Sequence, residues 1–353
     1  MISQRLASAD IALPAATTYS NRMKYADKNS GQQRTPLRVV VSLDVEEEGL
    51  FSGRYASTDC TVRNVALLRR LAPLTQELGF PLTLFCSYAV FANAGARTHL
   101  AWMRDHCDAD IAAHLHHWST PPLTAQPATT GAPQRTYLMP KDLLRARLQT
   151  LLAAGRDFQS APVTSFRMGR WDLKAPLLPL LAEEGVSLDS SICPLRCFAN
   201  GADHFLAPAD PYWPTDTPNL LEAPLTQVPL WPFLARTWYK LSPKGWTDSF
   251  HYWGAASPNP VWHSGPVMRA AACLHRLRHG KVLNLFWHSS EMLPGASPHI
   301  PDQAAADALL RKIYTFLAWL RARYAPQGIT AAGLRAIAPD CGFTSRPKGS
   351  GDW

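Results

Sequence analysis

Short apolar runs recur along the chain, and several of them stop abruptly at polar residues. The first, residues 37–43, is rich in β-branched side chains and is followed by Asp44 and three consecutive glutamates. A run of this kind is typical of a strand that is buried on both faces of a parallel sheet. Similar runs predict six more strands, at residues 82–86, 110–113, 163–166, 186–188, 220–223 and 282–287.

Apolar residues at helical spacing lie between these runs. They predict helices over 67–78, from 140, over 177–181, over 266–279 and from Asp302, with Pro73 dividing the first. Thr330 is expected to cap a short final helix. Proline-rich segments at 119–135 and 194–218, and a tryptophan-rich one at 226–264, predict loops. This alternation predicts an α/β fold, a single parallel (β/α) barrel with seven strands, one fewer than the usual eight.

The polar, unpatterned ends of the chain set the expected domain bounds. We predict a flexible N-terminal tail over residues 1–36, the barrel over 37–340 and a C-terminal tail over 341–353. No stretch approaches the roughly 20 apolar residues that span a bilayer, so no membrane span is expected. The start of the chain lacks the apolar core of a secretory signal, which favours a cytoplasmic protein.

The charge indicates which partners to expect, and the cysteine content indicates the redox compartment. Lys and Arg number 35 and Asp and Glu 27, so the net charge is +8, which suits an anionic partner. No run of five or more Lys or Arg is present, so a nucleic-acid surface is not expected. The seven cysteines form no CxxC pair, which is typical of reduced thiols in a cytosolic protein.

Polar residues follow five of the predicted strands directly. The carboxyl ends of parallel strands share one face of a barrel, and that face is where such folds keep their chemistry. The residues at these ends are Asp44, His114, Arg167, Asp189 and His288.

Carboxylates and imidazoles in this set are suited to binding a metal. Asp44, Glu46 and His114, with either His116 or His117, match the preferences of Zn²⁺ or another divalent first-row metal. Two histidines and one carboxylate leave positions open for water and substrate, so the site would be catalytic. A bound water has its pKa lowered and becomes a nucleophile.

Proton transfer can be assigned to the remaining groups. A carboxylate that does not bind the metal can take the proton of the water, and His288 can protonate the leaving group. Arg167 can pair with the base and keep it ionised. Together these parts describe metal-assisted hydrolysis of an amide or an ester.

Five short motifs resemble those of the polysaccharide deacetylases, metal-dependent carbohydrate esterases of the chitooligosaccharide deacetylase type. The resemblance covers about residues 38–338 and includes a Pro-Tyr-Trp-Pro loop of a cytoplasmic-type branch at 211–214. It implies a distorted seven-stranded barrel and the removal of N-acetyl groups from amino sugars. The motifs lie at residues 42–47, 113–118, 165–171, 188–191 and 285–289.

The resemblance also implies a role for each candidate residue. Asp44 would be the general base, Arg167 its tether and His288 the general acid. The metal ligands would be Glu46, His114 and His116, and the substrate groove would be shaped by Asp189, Trp171 and Trp118.

Three departures from the common motifs leave alternatives open. A valine separates Asp44 from Glu46 where two adjacent aspartates are usual, so Glu47 competes as a ligand. Position 118 is Trp where the second histidine is usual, so that ligand is His116 or His117. Gly169 stands where the third motif usually has Pro.

The expected protein is therefore a cytoplasmic deacetylase that acts on an N-acetylated sugar or glycan precursor. Its cofactor would be Zn²⁺, with Co²⁺, Ni²⁺ and Mn²⁺ as alternatives. Two other functions are carried forward. One is an amidohydrolase that cleaves a non-sugar amide or ureide, and the other is a barrel that binds carbohydrate without catalysis.

Overall fold

A parallel sheet of seven strands runs through the computed structural model, which describes residues 36–123, 133–243 and 245–346. The sheet curls through 210° into a half-barrel with helices around it. This confirms the predicted α/β fold, a distorted seven-stranded barrel of parallel strands. The strands, in chain order, are β1 (Arg38–Val45), β2 (Leu82–Cys86), β3 (Asp110–Leu115), β4 (Ser165–Met168), β5 (Leu188–Asp189), β6 (Leu221–Glu222) and β7 (Val282–His288). Their order across the sheet is β7-β1-β2-β3-β4-β5-β6.

Helices connect the strands, and their caps follow the sequence closely. The run predicted as a helix divided by Pro73 is a 3-10 helix over Arg63–Leu71 followed by the first α-helix, which has Pro73 in its first turn. Thr330 caps its helix, as predicted, by accepting a hydrogen bond from a backbone N–H, and Asp302 does the same for the helix predicted to start there. The α-helices are α1 (Ala72–Gln76), α2 (Tyr88–Ala92), α3 (Ala94–Cys107), α4 (Lys141–Gln159), α5 (Leu178–Glu183), α6 (Pro232–Leu241), α7 (Phe250–Trp253), α8 (Gly265–Leu277), α9 (Gln303–Tyr324) and α10 (Ala331–Ile337).

Successive side chains of β1 point alternately to the core beneath the helices and to the barrel interior. Val39, Val41 and Leu43 belong to the large cluster beneath the surrounding helices. Val40 points to the other side and packs with α10 in a second cluster. Successive side chains of a strand point to opposite faces, so Asp44, four residues after Val40, also faces the interior. The interior is therefore apolar at one end and polar at the other.

The half-barrel has an open seam between β6 and β7, and Asn284 bridges it. The Asn284 side-chain amide donates hydrogen bonds to the carbonyl oxygens of Ala223 (3.0 Å) and Pro224 (3.2 Å). Its backbone N–H donates to Thr226 Oγ1 (2.8 Å), and its carbonyl accepts from Thr226 N (2.9 Å). These bonds satisfy backbone groups that a neighbouring strand would otherwise pair.

The segment 226–264, predicted as loop, contains regular structure, so that prediction is wrong. It holds α6, α7 and an antiparallel pair between Val228–Pro229 and Ala255–Ala256. Helix α6 is only ten residues long and begins at Pro232, and the frequent prolines of this segment predict loop. The predicted loop 119–135 is described only in part, and Ser119 and Thr120 are buried.

The C-terminal segment is described as far as residue 346. Ser345–Arg346 forms a parallel pair with Trp213–Pro214, beyond residue 340 where we placed the end of the barrel. The predicted N-terminal tail lies almost wholly outside the described residues, and the domain bounds stay a prediction. No helix in the three described ranges combines the length and hydrophobicity needed to cross a bilayer. The cytoplasmic location also stays a prediction.

Candidate metal centre and active site

The strand register brings the predicted polar residues to one edge of the sheet. Asp44 on β1 lies opposite His288 on β7. His114 on β3 lies opposite Arg167 on β4. Because all four residues are at the carboxyl ends of parallel strands, their side chains surround the same space. Asp44, His114 and Arg167 are almost fully buried there, and His288 is partly exposed.

Glu46, His114 and His116 form the group that is suited to holding a metal ion. Their donor atoms all lie within 4.8 Å of one another. Glu46 Oε2 is 3.4 Å from His114 Nε2 and 3.3 Å from His116 Nε2. Ligand bonds of about 2.0–2.1 Å in a tetrahedral zinc site place neighbouring ligand atoms roughly 3.3–3.4 Å apart. The donor types and their spacing therefore fit a divalent metal.

Both imidazoles are oriented by a hydrogen bond at the other ring nitrogen. His114 Nδ1 lies 3.1 Å from the carbonyl oxygen of Arg167, and His116 Nδ1 lies 2.9 Å from Glu47 Oε1. Carbonyl and carboxylate oxygens accept, so each Nδ1 donates its proton and Nε2 is the ring nitrogen left for a metal, which would take the place of any proton there. This arrangement is typical of the partners that fix metal-binding histidines.

Neighbouring charges shift the pKa values of Glu46 and His116 strongly. Burial alone would raise the pKa of Glu46, but His288 and hydrogen bonds with His114 and His116 hold it well below its usual range. Burial alone would lower the pKa of His116, but Glu47 and Glu46 raise it to about 10. The cluster therefore concentrates negative charge that a bound cation would neutralise.

The three consecutive glutamates point to different partners. Glu46 joins the two histidines, whereas Glu47 accepts hydrogen bonds from His116, Ser87 Oγ (2.9 Å) and Ser119 Oγ (3.0 Å). Glu48 is paired with Arg63 (2.6 Å) outside the cluster. Glu47 thus lies behind His116, as an orienting group, and the geometry favours Glu46 over Glu47 as the metal-facing carboxylate.

His116 and its neighbour His117 likewise have different surroundings. Only the first joins the metal-facing group. Burial, followed by the charge of Arg147, lowers the pKa of His117 to about 4. Trp118 stacks on His116 with the ring centroids 4.3 Å apart and also meets Tyr55 edge-on at 5.3 Å. Trp118 therefore packs against the metal-facing imidazole, and its predicted contact with substrate stays a prediction.

Asp44 is held by the fully buried guanidinium of Arg167. Arg167 Nη1 donates to Asp44 Oδ1 at 2.5 Å. Its Nε donates to Ser190 O (3.0 Å), and its Nη2 donates to Ser190 Oγ (3.1 Å) and Ser42 Oγ (2.9 Å). The ring of Phe85 lies 4.1 Å from the guanidinium carbon and covers it. Asp44 Oδ2 is left facing His288 Nε2 (3.8 Å) and His114 Nε2 (4.0 Å).

His288 is positioned by Glu291, three residues later in the chain. Its Nδ1 lies 3.0 Å from Glu291 Oε2, and the same oxygen accepts the backbone N–H of His288. Burial alone would lower the pKa of His288, but Glu291, Glu46 and Asp44 raise it to about 10. Phe51 contacts the ring edge-on at 5.1 Å. The imidazole is therefore a cation at neutral pH with Nε2 directed at Asp44.

Asp189 and Trp171 lie behind and beside this group. Asp189 is fully buried, and its carboxylate accepts from Ser191 N and Ser191 Oγ and pairs across the sheet with Glu222. Burial raises the pKa of Glu222 well above its ordinary value, and the charge of Asp189 adds to this effect. Trp171 packs edge-on against Phe286 at 4.7 Å. The substrate roles predicted for Asp189 and Trp171 stay predictions.

Sequence reasoning assigned no role to several residues that complete the site. Glu291 follows His288 at i+3, a spacing that could have indicated an orienting carboxylate. Glu47 was considered only as a rival ligand. Ser87 directly follows β2, and Ser119 was placed in a loop, so neither carried a signal that linked it to Glu47.

Comparisons with known proteins agree with this architecture. No family model matches the sequence, and no curated protein matches it. A solved structure from Mycobacterium smegmatis, described as a candidate polysaccharide deacetylase, has a TM-score of 0.57 at 16% identity, covering 91% of this chain and 96% of its own. The Puue allantoinase has a TM-score of 0.54 at 13% identity, covering 89% and 95%.

A third structure, from Parabacteroides distasonis, is described as a candidate glycoside hydrolase/deacetylase. Its TM-score is 0.57 at 10% identity, and the match covers 86% of this chain and 72% of that one. The chain is thus a parallel half-barrel with a Glu-His-His group at its strand ends. It has the fold of the polysaccharide deacetylases, and the resemblance found in the sequence is confirmed at the level of the fold.

Proposed function

We propose that the protein is a metal-dependent hydrolase that removes an N-acetyl group from an amino sugar or glycan precursor. The observation that carries this proposal is the convergence of Glu46 Oε2, His114 Nε2 and His116 Nε2 beside Asp44 and His288. The fold shared with structures described as polysaccharide deacetylases supports it.

Glu46, His114 and His116 would hold a divalent cation, for which we propose Zn²⁺. A carboxylate with two imidazoles suits this metal and leaves room for water and substrate. When bound, the cation supplies Lewis-acid chemistry, which polarises a carbonyl and lowers the pKa of water. The hydrogen bonds at the two Nδ1 atoms orient both rings before the metal arrives, so little rearrangement is required.

Asp44 acts as the general base. Its Oδ1 is occupied by Arg167, so Oδ2 is the oxygen available to accept a proton from the attacking water. Because Nε and Nη2 of the buried guanidinium are also hydrogen-bonded, to Ser190 and Ser42, Arg167 fixes Asp44 in one orientation. The pairing therefore determines which carboxylate oxygen faces the reacting atoms.

His288 acts as the general acid. Glu291 holds the proton on Nδ1, so the imidazolium presents its second proton at Nε2. That proton passes to the departing amine nitrogen as the carbon–nitrogen bond of the acetamide breaks. The raised pKa of His288, about 10, keeps this proton in place at neutral pH.

The substrate we propose is an amino sugar that carries negative charge elsewhere. The chain has a net charge of +8, which favours a nucleotide- or lipid-linked conjugate over a neutral oligosaccharide. Trp118, Trp171 and Asp189 are proposed to shape the groove that receives it. A ureide is the second candidate substrate, because the allantoinase has the same fold.

Metal content is the first test. Elemental analysis of the purified protein should find about one zinc or similar ion per chain, and His114→Ala should lose it. His117→Ala is the matched control, since that histidine is equally buried but lies outside the metal-facing group. A wild-type protein that neither contains nor takes up a divalent metal would overturn the hydrolase and leave the carbohydrate-binding barrel.

Substrate screening then separates the remaining functions. Acetate release from N-acetylglucosamine oligomers and nucleotide-linked N-acetylglucosamine should depend on the metal and on Asp44. Turnover of allantoin without acetate release from any sugar would favour the amidohydrolase. Metal binding without turnover in either assay would contradict both.

A further inference from the structure

Exposed apolar side chains are concentrated in one short part of the chain. Of the eleven large hydrophobic residues exposed among the described ones, seven lie between residues 231 and 253. Soluble proteins rarely expose contiguous apolar patches without a partner. We refer to these seven as the aromatic face: Trp231, Phe233, Leu234, Leu241, Trp246, Tyr252 and Trp253.

Helix α6 carries apolar residues on its outward side as well as its inward side. Ala235, with Trp238 and Tyr239, packs into a small core beneath the helix. Phe233 and Leu241 point outward and are 82% and 76% exposed. An ordinary surface helix has polar residues there, so the outer side of α6 is not adapted to water alone.

The segment around α7 lies against α6 and extends the same surface. Leu230 N–H donates to the carbonyl of Gly254 (2.8 Å). Trp231 follows Leu230 and Trp253 precedes Gly254, so the two tryptophans lie at the same end of this hydrogen-bonded pair. Trp253 packs edge-on against Trp238 at 5.2 Å. The aromatic face is therefore built on a packed support.

The charges on this face are positive. Among the described residues of 231–253, the exposed charged side chains are Arg236 and Lys240, on neighbouring turns of α6. The single acidic residue there, Asp248, is engaged by Arg196 at 2.9 Å. Beside α6 opens a cavity of about 550 Å³ whose charged lining is Arg236, Arg278 and Asp210, the last of which accepts the backbone N–H groups of Lys281 and Val282. An anionic surface therefore complements the face.

We propose that the aromatic face docks the protein onto an anionic lipid bilayer. Trp and Tyr favour the boundary between headgroups and acyl chains, and Phe and Leu enter the apolar layer below it. Arg236 and Lys240 would meet the lipid phosphates. Among the described contacts, none joins a residue of the aromatic face to Glu46, His114 or His116, and the proposal does not depend on the hydrolase function.

Vesicle co-sedimentation tests the proposal with the full chain. Vesicles of phosphatidylcholine with about a quarter phosphatidylglycerol should bind the protein more tightly than phosphatidylcholine alone. Phe233→Ser with Leu241→Ser should weaken binding by about tenfold or more, because two inserted apolar side chains are lost. Arg236→Gln with Lys240→Gln should remove the preference for anionic vesicles. Leu138→Ser, at an exposed leucine outside the face, is the control and should change nothing.

Three results would overturn the proposal. One is an absence of sedimentation with either vesicle. Another is binding that the face variants leave unchanged, which would assign it to another part of the chain. The third is a concentration-dependent dimer in analytical ultracentrifugation that the Phe233 and Leu241 substitutions abolish, without vesicle binding, which would assign the face to a second copy. Circular dichroism of each variant confirms that it remains folded.

Discussion

Gly169 lies against the imidazole of His116 with no room for a side chain. A Cβ at position 169 would fall 2.5 Å from His116 Cδ2 and 2.7 Å from the carbonyl oxygen of Leu115. Carbon atoms do not approach so closely without displacement. Gly169 replaces the Pro usual in related motifs, and His116 follows His114 at an unusually short spacing. The glycine provides the space that the His116 ring occupies.

Gly169→Ala should therefore weaken metal binding. The added methyl group must displace the His116 ring, and disturbing an orienting contact of this kind typically costs about 10- to 100-fold in metal affinity. Isothermal titration of the metal-free protein with Zn²⁺ measures the change. Gly265→Ala is the control, since a Cβ there meets nothing within 4 Å. Equal affinities for the two variants would show that Gly169 does not position His116.

Substitutions of the three adjacent glutamates should change metal affinity to different extents. Glu46→Gln removes the metal-facing carboxylate and should abolish binding. Glu47→Gln removes the negative charge behind His116 and one of the two acceptor oxygens of Glu47, and should reduce affinity by about tenfold. Glu48→Gln, which alters the pair with Arg63, should leave metal affinity unchanged. Complete loss of binding with Glu47→Gln and retention with Glu46→Gln would reverse the two assignments.

The pH dependence of activity should report the pair formed by His288 and Glu291. Folding raises the pKa of His288 from 6.5 to about 10, so its stabilising charge is fully present below pH 6.5 and is lost as the pH rises through about 10. Glu291→Gln removes the main cause of this rise. The alkaline limb of the kcat profile should move to lower pH, and stability should fall near neutral pH. An alkaline limb at the same pH in both proteins would show that another group is the acid.

Removing the guanidinium of Arg167 should destabilise the protein strongly. Arg167→Met leaves the buried carboxylate of Asp44 without its partner, a change that typically costs about 3–5 kcal/mol. Urea denaturation measures the free energy of unfolding. Arg97→Met is the matched control, because Arg97 and Asp157 form an exposed pair worth about 1 kcal/mol or less. Similar losses from both substitutions would mean that the Asp44 pair contributes no more than a surface contact.

The strands and their polar ends could be predicted because each strand carries its own signal. β1 and β7 are short apolar runs, and Asp44 and His288 follow in the sequence where the register later places them opposite each other. Parallel topology supplied the remaining constraint, since it puts all carboxyl ends on one face. The choice between Glu46 and Glu47 as metal ligand required the three-dimensional structure. Nothing in the sequence shows that Glu46 and Glu47 turn to opposite sides of His116.

Helix α6, which carries part of the aromatic face, could not be predicted from the sequence. The helix was missed because it is only ten residues long and begins at Pro232 among other prolines, which predict loops. This length is shorter than the window of about 11 residues in which a helical period is recognised.

The position of β1 between β2 and β7 fixes the order in which the centre can be assembled during synthesis. Glu46, His114 and His116 all belong to the first half of the chain, whereas His288 is the last residue of β7, a strand whose contact with β1 joins Ser42 to Leu285, 243 residues apart. A ribosome releases the whole metal-facing group long before it makes this last strand. Until then one edge of β1 has no partner, and an uncovered edge invites pairing with another chain. The strand that carries His288 is thus also the strand that covers this edge of β1.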